Sequence, residues 1–286
     1  MTGKQTTIRS LLSVPGHRAD WIEKAMASEA DALMLDLEDA VPEEQKNHAR
    51  DVVCNFLACD SLRDGPSGKA ITVRINGQGT SHMEADRDQL AAYDVDVVIP
   101  KVINAQDITV GIPAHRGKGM ATALIEYPGA FENLYQIARH PRCDSLLFGV
   151  ADFLAATAGT YGDNQEGILC PRHQIVIAAR AVGVTALDCP CVDVHDEDKL
   201  RAHIGRARML GYDGMLCLSL KQVAVCNREY TPSSKEIETA REVVDGAAQA
   251  QERGDSIATH KGSFVSPPTL KRAQKLLEKA ERLGVV

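Results

Sequence analysis

Short apolar segments recur along the chain and alternate with stretches that have the apolar spacing of helices. The eight segments are rich in β-branched residues, which is typical of strands. Strands that alternate with helices predict right-handed β/α units and a parallel sheet. Eight units within about 220 residues predict an α/β fold, a closed (β/α)₈ TIM barrel. The predicted strands are 8–14, 32–38, 70–76, 96–102, 121–126, 145–150, 184–188 and 214–219.

The segments between these strands carry helical signals of unequal strength. Pro42 suits a first helical turn, and residues 43–57 have apolar residues at helical spacing. Residues 103–120 and 155–172 show little periodicity, so we predict loops there. An open doubly wound sheet is the alternative fold, but no glycine-rich dinucleotide-binding motif begins any of the helical stretches.

The chain continues beyond the last predicted strand with a segment that a barrel does not require. Ser233 and Glu236 have the spacing of a capping box and predict the start of a helix. Residues 253–264 are predicted as a loop, and a last amphipathic helix follows, with Ser266 as its N-cap and Gly284 near its end. We therefore predict a barrel domain over residues 1–220 and a C-terminal helical extension over 221–286, which serves as a lid or a subunit contact.

The composition is that of a globular protein, with 44% apolar and 25% charged residues among 286. No apolar run approaches the ~20 residues of a membrane span, and the N-terminus lacks the features of a secretory signal. We therefore expect a soluble, cytoplasmic protein. The net charge of −7 argues against nucleic acid as a partner. The eight cysteines lie mostly in apolar runs, so we expect free, packed thiols, and CPC at 189–191 lacks the second ligand pair of a structural zinc site.

Side-chain alternation sorts each predicted strand into two faces. In the second strand Leu33, Leu35 and Leu37 share one face, predicted to pack under the outer helices. The other faces, predicted to point into the barrel and its mouth, are Met34, Asp36 and Glu38; Thr72, Arg74 and Asn76; Val97, Ile99 and Lys101; Thr122, Leu124 and Glu126; and Phe148, Val150 and Asp152. Their charged residues come last or nearly last, at the end of the barrel where barrel enzymes have their active sites.

The predicted mouth therefore collects more carboxylates than cations. Crowded carboxylates resist joint ionisation unless cations compensate them, and a hard divalent metal supplies such compensation. Mg²⁺ typically takes one or two protein carboxylates and leaves its other positions to water and substrate oxygens. A helix cap or a solvated rim explains any single one of these charges equally well, but their convergence after successive strands favours a site. The residues are Asp36, Glu38, Glu126 and Asp152, with Arg74 and Lys101.

Residues 9–50, which include SVPGHRADWIEK and LDLEDAV, resemble the opening of the citrate lyase β subunit family within the HpcH/HpaI aldolase superfamily. That family includes malyl-CoA and citramalyl-CoA lyases. The resemblance extends over roughly residues 8–245. Further motifs follow in the family's order, namely VRING (73–77), IPKV (99–102), LIEYPGAFENLYQIA (124–138), FGVADFLAATAG (148–159), GVTALDCPCVDVHDEDKL (183–200) and GYDGM (211–215).

The resemblance implies a Mg²⁺-dependent lyase that cleaves or forms a carbon–carbon bond in a 3-hydroxyacyl thioester of CoA or acyl carrier protein. Glu126 and Asp152 match the family's metal ligands, and Arg74 matches the arginine that binds the substrate carboxylate. Arg18 and Lys24 match basic residues that contact the CoA portion. The resemblance also implies a homotrimer or hexamer, with a CoA thioester and a 2-oxo acid as the small-molecule partners.

The residues' own chemistry is compatible with these roles. A metal chelated by a 2-oxo acid stabilises the carbonyl that forms on cleavage, and a guanidinium fork clamps a neighbouring carboxylate. Glu38 and Asp36 are predicted to support catalysis by orienting the arginine or metal-bound water. Lys101 is predicted to contribute to substrate binding.

Three segments depart from the family's pattern. Ala151 replaces a glutamate before the second metal ligand, and LSLKQ (218–222) replaces I-H-P-x-Q. GSFVSPP (262–268) replaces G-K-x-I-D-x-P, so Ser266 occupies the position of an aspartate that handles a proton in catalytic relatives. Two alternatives therefore stay open beside the lyase: a metal-dependent aldolase for a free 2-oxo acid without CoA, and a weakly catalytic or non-catalytic member.

Overall fold

The computed structural model describes residues 7–59, 69–114, 119–162, 165–252, 258–260 and 263–286. Its contacts divide it into two compact units, one containing residues 8–228 and the other residues 229–286. None of the helices in these described ranges combines the length and the apolar character that crossing a membrane requires.

The first unit is a barrel. Within the described residues, eight parallel strands pair in chain order, and the first strand also pairs with the eighth to close the sheet. This closure confirms the (β/α)₈ barrel predicted from the sequence. The strands are β1 Ser10–Pro15, β2 Ala32–Asp36, β3 Ala70–Arg74, β4 Asp96–Ile99, β5 Ala121–Ile125, β6 Cys143–Phe148, β7 Thr185–Asp188 and β8 Gly214–Cys217.

Helices follow the strands, with two short 3₁₀ turns at Glu43–Gln45 and Pro128–Glu132. They are α1 Ala19–Met26, α2 Lys46–Leu57, α3 Ser81–Leu90, α4 Ala105–Gly111, α5 Leu134–Ala138, α6 Val150–Thr157, α7 Glu166–Val182, α8 Glu197–Leu210 and α9 Leu220–Tyr230. Pro42 precedes the first 3₁₀ turn and does not lie inside a helix.

The two loop predictions at 103–120 and 155–172 are wrong in part. The first segment contains α4, which begins with a capping box between Asn104 and Asp107. The second contains the end of α6 and the start of α7. Both helices escaped the sequence reasoning because α4 has only seven residues and α7 carries Pro171 in its first turns, so neither shows a long apolar period.

The barrel interior is filled by apolar side chains from successive strands. They are Leu11, Ala32, Met34, Val98, Leu124, Leu147, Leu187 and Leu216. Met34 and Leu124 agree with the predicted faces. Val98 and Leu147 contradict them, because the prediction gave Val97, Ile99 and Phe148 to this side.

Both errors have the same cause. The prediction extends the alternation of a strand to a charged residue, Lys101 or Asp152, that lies beyond the end of that strand. Lys101 has a left-handed backbone, with a φ of 57°, so the period of two is broken between Ile99 and Lys101. Asp152 lies on a helix, where the period is 3.6 residues. Ile99 accordingly lies under Gly111 of α4, and the Phe148 ring packs edge-on against Phe153 of α6 at 5.5 Å.

The second unit consists of α10 Ser234–Glu252, α11 Pro267–Arg282 and an antiparallel pair of strands, β9 Ala258–His260 and β10 Ser263–Val265. The predicted loop at 253–264 is therefore wrong where these strands lie, since three-residue strands are too short to show alternation. Ala240, Val243, Val265 and Ala273 form the unit's apolar core.

Both predicted helix starts in this unit are confirmed. The Glu236 carboxylate accepts from the Ser233 N–H at 2.8 Å, and Ser266 Oγ accepts from the Thr269 N–H at 3.3 Å. The proposed role of the extension as a lid or a subunit contact stays a prediction.

Candidate active site

Asp36 and Arg74 form the rigid base of the site at the mouth of the barrel. The two residues end β2 and β3 and are paired in register. Arg74 Nε donates to Asp36 Oδ1 at 2.8 Å, and Nη2 donates to Oδ2 at 2.5 Å. Asp36 is fully buried and also accepts from the backbone N–H groups of Glu38 and Ala40. Each carboxylate oxygen of Asp36 thus accepts two hydrogen bonds, and Asp36 holds both Arg74 and the loop after β2 in place.

The third nitrogen of the Arg74 guanidinium, Nη1, faces two further carboxylates of the described residues. Arg74 Nη1 lies 3.3 Å from Glu38 Oε2 and 3.3 Å from Asp39 Oδ2. Burial opposes the charged guanidinium, but Asp36, Glu38 and Asp39 together raise the pKa of Arg74. The sequence predicted that Arg74 binds a substrate carboxylate and that Asp36 or Glu38 orients it, and in the structure Asp36 binds two of its nitrogens.

Glu38 bridges the two cations of the mouth. Its Oε1 accepts from Lys101 Nζ at 2.7 Å, while its buried Oε2 lies 3.3 Å from Arg74 Nη1 and accepts no hydrogen bond from the described residues. Burial raises the pKa of Glu38, although Arg74 and Lys101 act in the opposite direction. Lys101 lies beyond the end of β4, where its left-handed backbone departs from the strand's alternation.

Glu126 and Asp152 lie on the neighbouring part of the mouth. Glu126 follows β5, is 3% exposed, and accepts from the Lys101 backbone N–H through Oε1 at 2.7 Å. Burial, with contributions from Glu38 and Asp152, raises the pKa of Glu126 to about 8. Asp152 is partly buried in the first turn of α6. A Cβ on Gly149 would lie 2.5 Å from Glu126 Cβ, so only glycine permits this close approach.

This donor set fits a hard divalent cation. Glu126 Oε2 is not used by the Lys101 contact, and Asp152 is close enough to disfavour the ionised form of Glu126. A cation between two such carboxylates removes their mutual repulsion. Two protein carboxylates with the remaining positions left to water and substrate are the usual Mg²⁺ arrangement.

A different group of three potential metal ligands occurs among the described residues, namely Asp188, Cys189 and His203. Asp188 already carries a buried ion pair with Arg172, and His203 Nε2 lies 3.1 Å from Asp188 Oδ2. Burial and the adjacent Asp188 raise the pKa of the Cys189 thiol far above its usual value. The Arg172 guanidinium supplies the positive charge there, so this group is better explained by packing.

Arg18 and Lys24, predicted to contact CoA, lie on the surface of α1, Arg18 at its N-cap and Lys24 in its last turn. Both bind Asp20, with Arg18 Nε at 3.0 Å from Oδ1 and Lys24 Nζ at 3.7 Å from Oδ2. The Arg18 guanidinium also stacks 4.4 Å above the Trp21 ring. A cavity of about 270 Å³ adjoins this surface. It is lined by Leu12, Ser13, Val14, Trp21, Lys24, Ala25, Leu218, Ser219 and Leu220.

The structure also reveals a buried polar network behind Glu38, formed by Lys46, Arg50, Asn76 and Asp86. The sequence reasoning placed Asn76 on a strand face and missed the other three. Lys46 and Arg50 are four residues apart on α2, but no local pattern shows that they are buried, because Asp86 is contributed by another helix.

A comparison with protein families identifies the family of the chain. The sequence profile described as HpcH/HpaI aldolase/citrate lyase matches residues 9–219. The chain belongs to the HpcH/HpaI aldolase/citrate lyase family.

Members of the HpcH/HpaI family resemble the chain over nearly its full length. A citrate lyase subunit beta-like protein from Deinococcus radiodurans is 32% identical over 97% of this chain and 99% of its own. A (3S)-malyl-CoA thioesterase from Cereibacter sphaeroides is 32% identical over 96% of this chain and 95% of its own. The crystal structure of CitE from Mycobacterium tuberculosis with magnesium, acetoacetate and coenzyme A is 28% identical, covers 95% of this chain and 97% of its own, and has a TM-score of 0.79.

Proposed function

We propose that this protein is a Mg²⁺-dependent carbon–carbon lyase that cleaves a 3-hydroxyacyl-CoA, such as malyl-CoA or citramalyl-CoA, into acetyl-CoA and a 2-oxo acid. An acyl-carrier-protein thioester is the alternative form of this substrate. The observation that carries the proposal is that one barrel mouth holds both a buried arginine and Glu126, a buried carboxylate whose ionised form is disfavoured by burial and by the nearby Glu38 and Asp152. The magnesium and coenzyme A bound to the related CitE support the same assignment.

Glu126 and Asp152 are the proposed metal ligands. Mg²⁺ bound there would act as a Lewis acid toward the oxygens of the 2-oxo acid. Lys101 supports this position, because its backbone N–H fixes Glu126 Oε1 and leaves Oε2 for the cation.

Arg74 is the proposed binding group for the substrate carboxylate. Asp36 occupies Nε and Nη2, so the substrate is offered the Nη1 side, where Asp39 is 57% exposed and readily displaced. A guanidinium held by a buried carboxylate loses little conformational entropy on binding a second one. Asp36 thus acts through Arg74 as a positioning residue.

Glu38 is the proposed proton acceptor for the substrate hydroxyl. Cleavage breaks the bond between the hydroxyl-bearing carbon and the carbon next to the thioester, so the hydroxyl loses a proton and the thioester enolate gains one. Within the described part of the chain Glu38 Oε2 is buried and accepts no hydrogen bond, and burial raises the pKa of Glu38, which makes its carboxylate a stronger base. The same proton can return to the enolate carbon, which balances the reaction.

Hydrolysis of the thioester is a second candidate function. It is favoured by the (3S)-malyl-CoA thioesterase, which is 32% identical over 96% of this chain. It is also compatible with Ser266 at the position where catalytic lyases resembling this chain have an aspartate. Water would then attack the thioester carbonyl and release free CoA and the 3-hydroxy acid.

A single assay separates these reactions. The purified protein is given a panel of 3-hydroxyacyl-CoA substrates with Mg²⁺ and, separately, with a chelator. Phenylhydrazine detects the 2-oxo acid of the lyase reaction, and a thiol reagent detects the free CoA of hydrolysis.

We expect 2-oxo acid without free thiol, and only with Mg²⁺. Free thiol alone would replace the lyase assignment with the thioesterase. Absence of both products, with Mg²⁺-dependent binding of pyruvate or oxaloacetate retained, would favour a non-catalytic member. Cleavage of a free 2-oxo acid substrate without CoA would identify the aldolase alternative.

The predicted homotrimer or hexamer and the cytoplasmic location remain parts of this proposal. Sedimentation analysis of the purified protein would test the oligomeric state directly.

A further inference from the structure

Lys46 is a buried cation, and its three hydrogen-bond acceptors among the described residues are uncharged. It begins α2 and is 8% exposed. Its Nζ donates to Leu37 O at 2.8 Å, to Glu38 O at 2.6 Å and to Asn76 Oδ1 at 2.7 Å. A buried ammonium is costly and is normally paired with a carboxylate. Two of the three acceptors here belong instead to the backbone that carries Glu38.

Asn76 links Lys46 to a buried carboxylate, that of Asp86. The Asn76 backbone and side-chain N–H groups donate to Asp86 Oδ2 at 2.8 and 2.7 Å. Asp86 Oδ1 accepts from Arg50 Nη1 at 3.1 Å, and the same nitrogen donates to Lys46 O at 3.3 Å. These contacts form a closed ring, which we call the Lys46 ring, of Lys46, Asn76, Asp86 and Arg50.

Lys46 fixes one side of Glu38 directly, and Asp36 fixes the other. The Glu38 N–H donates to Asp36 Oδ1 at 2.8 Å, while the Glu38 carbonyl accepts from Lys46. Asp36 also holds Arg74, so the backbone of Glu38 and the guanidinium share one anchor. The Glu38 carboxylate is then directed between Lys101 Nζ and Arg74 Nη1.

We propose that Lys46 is a positioning residue for Glu38 and keeps its carboxylate in the orientation required for proton transfer. This inference rests on the proposed function, because it assumes that Glu38 takes part in the reaction. A group that acts through Glu38 affects the chemical step, whereas a group that merely stabilises the fold affects the amount of folded protein. A positioning role of Lys46 should therefore lower kcat, whereas a purely structural role should leave the kcat of the folded protein unchanged.

The test is a double-mutant cycle with Lys46→Met and Glu38→Gln, measured as kcat and KM for the cleaved thioester. We expect Lys46→Met to lower kcat by about 30-fold and to change KM by less than about 3-fold. In the Glu38→Gln background Lys46→Met should have almost no further effect on kcat, because the carboxylate that Lys46 positions is already absent. Multiplicative effects of the two substitutions on kcat would overturn the proposal.

Asp86→Asn is the matched control. It weakens the far side of the Lys46 ring and leaves the Lys46 contacts to Leu37 and Glu38 intact. We expect a lower Tm with kcat within about 3-fold of the unmodified protein. A fall in kcat as large as that of Lys46→Met would show that general loosening explains both. Where Lys46→Met does not fold, Lys46→Gln, which retains a donor of two N–H groups, takes its place in the cycle and should lose less kcat than Glu38→Gln.

Crystal structures of the variants distinguish a failure of this inference from a failure of the proposed function. If the unmodified protein cleaves no thioester, the function fails, but the positioning is still visible in the distance between Glu38 Oε1 and Lys101 Nζ. That contact, 2.7 Å here, should be lost in Lys46→Met and kept in Asp86→Asn. Its retention in Lys46→Met would overturn the inference independently of activity.

Discussion

Two buried charged clusters occupy different parts of the same barrel, and they differ in how completely their charges are paired. In the first, Asp188 of β7 is fully buried between Arg172 and His203. Burial disfavours its ionised form, but His203 and Arg172 hold the pKa of Asp188 below its usual value. Gln165 Oε1 accepts from Arg172 at 2.8 Å, and Tyr161 OH lies 3.1 Å from His203 Nδ1, so the surrounding polar groups are also satisfied.

The second cluster, at the mouth formed by β2 to β6, is left incomplete. Burial raises the pKa of Glu126 to about 8, and none of the residues that the structure describes donates a hydrogen bond to the buried Glu38 Oε2. A completed cluster stabilises the fold, whereas an incomplete one carries an electrostatic cost that a ligand can remove. The difference between the clusters is thus the physical basis for assigning function to the mouth.

The strongest test of this difference between the clusters is a substitution that removes the charge of Glu126. Glu126→Gln removes a proposed metal ligand and at the same time a buried carboxylate that lacks compensation. We expect turnover to fall by at least about 1,000-fold, because metal activation of the substrate is lost. Calorimetry should show that Mg²⁺ binding disappears, while the Tm measured in chelator stays equal or rises.

Glu84→Gln, an exposed substitution of the same type on α3, provides the control and should change neither activity nor Mg²⁺ affinity. A fully active Glu126→Gln variant would refute the ligand assignment.

The opposite result is expected for the cluster of Asp188, Arg172 and His203, where a substitution should reduce stability rather than activity. Asp188→Asn leaves the Arg172 guanidinium buried without its counter-charge, so the free energy of unfolding should fall by about 3 kcal/mol. Urea denaturation measures this loss, with exposed Asp198→Asn as the control. The folded variant should still bind Mg²⁺. Unchanged stability with lost Mg²⁺ binding would reverse the roles that we assign to the two clusters.

The sequence was sufficient to predict the barrel because its signal is repeated in eight β/α units, so an error in one unit does not change the fold. It was also sufficient to bring Asp36, Glu38 and Arg74 together, since parallel strands end at the same edge of a sheet. It failed where position depends on a local backbone exception, as at Lys101, or on partners far apart in the chain. Lys46 and Asp86 are of the second kind, because nothing in their neighbouring residues indicates burial.

A carboxylate outside the mouth, that of Asp144, also has a raised pKa, so a raised pKa alone does not identify a functional site. Asp144 lies near the start of β6, at the end of the barrel opposite the mouth. Burial, with Asp96 contributing, raises the pKa of Asp144 to about 6. A carboxyl group whose pKa is raised by folding destabilises the folded state as pH rises from its unfolded value of about 4 through its folded value.

Asp144→Asn should therefore stabilise the protein by about 1 kcal/mol at pH 7, a value reduced for partial exposure, and by little at pH 4. Urea denaturation at both pH values measures the difference. Turnover should be unchanged, because the position at the opposite end of the barrel has no access to the mouth. Lost turnover would show that an uncompensated carboxylate outside the mouth also has a function.

The smallest expected effect concerns Arg18, whose side chain is 40% exposed and is already bound by Asp20. An anionic group of a CoA thioester would compete with Asp20 for the guanidinium, so the net gain from the contact is small. Arg18→Ala should raise the KM for the thioester by about 3-fold and leave kcat and the affinity for a free 2-oxo acid unchanged. Arg139→Ala, at an exposed position on the barrel unit, is the control. An unchanged KM in Arg18→Ala would remove this arginine from the proposed CoA site, whereas a parallel fall in kcat would connect it to the chemistry of the mouth.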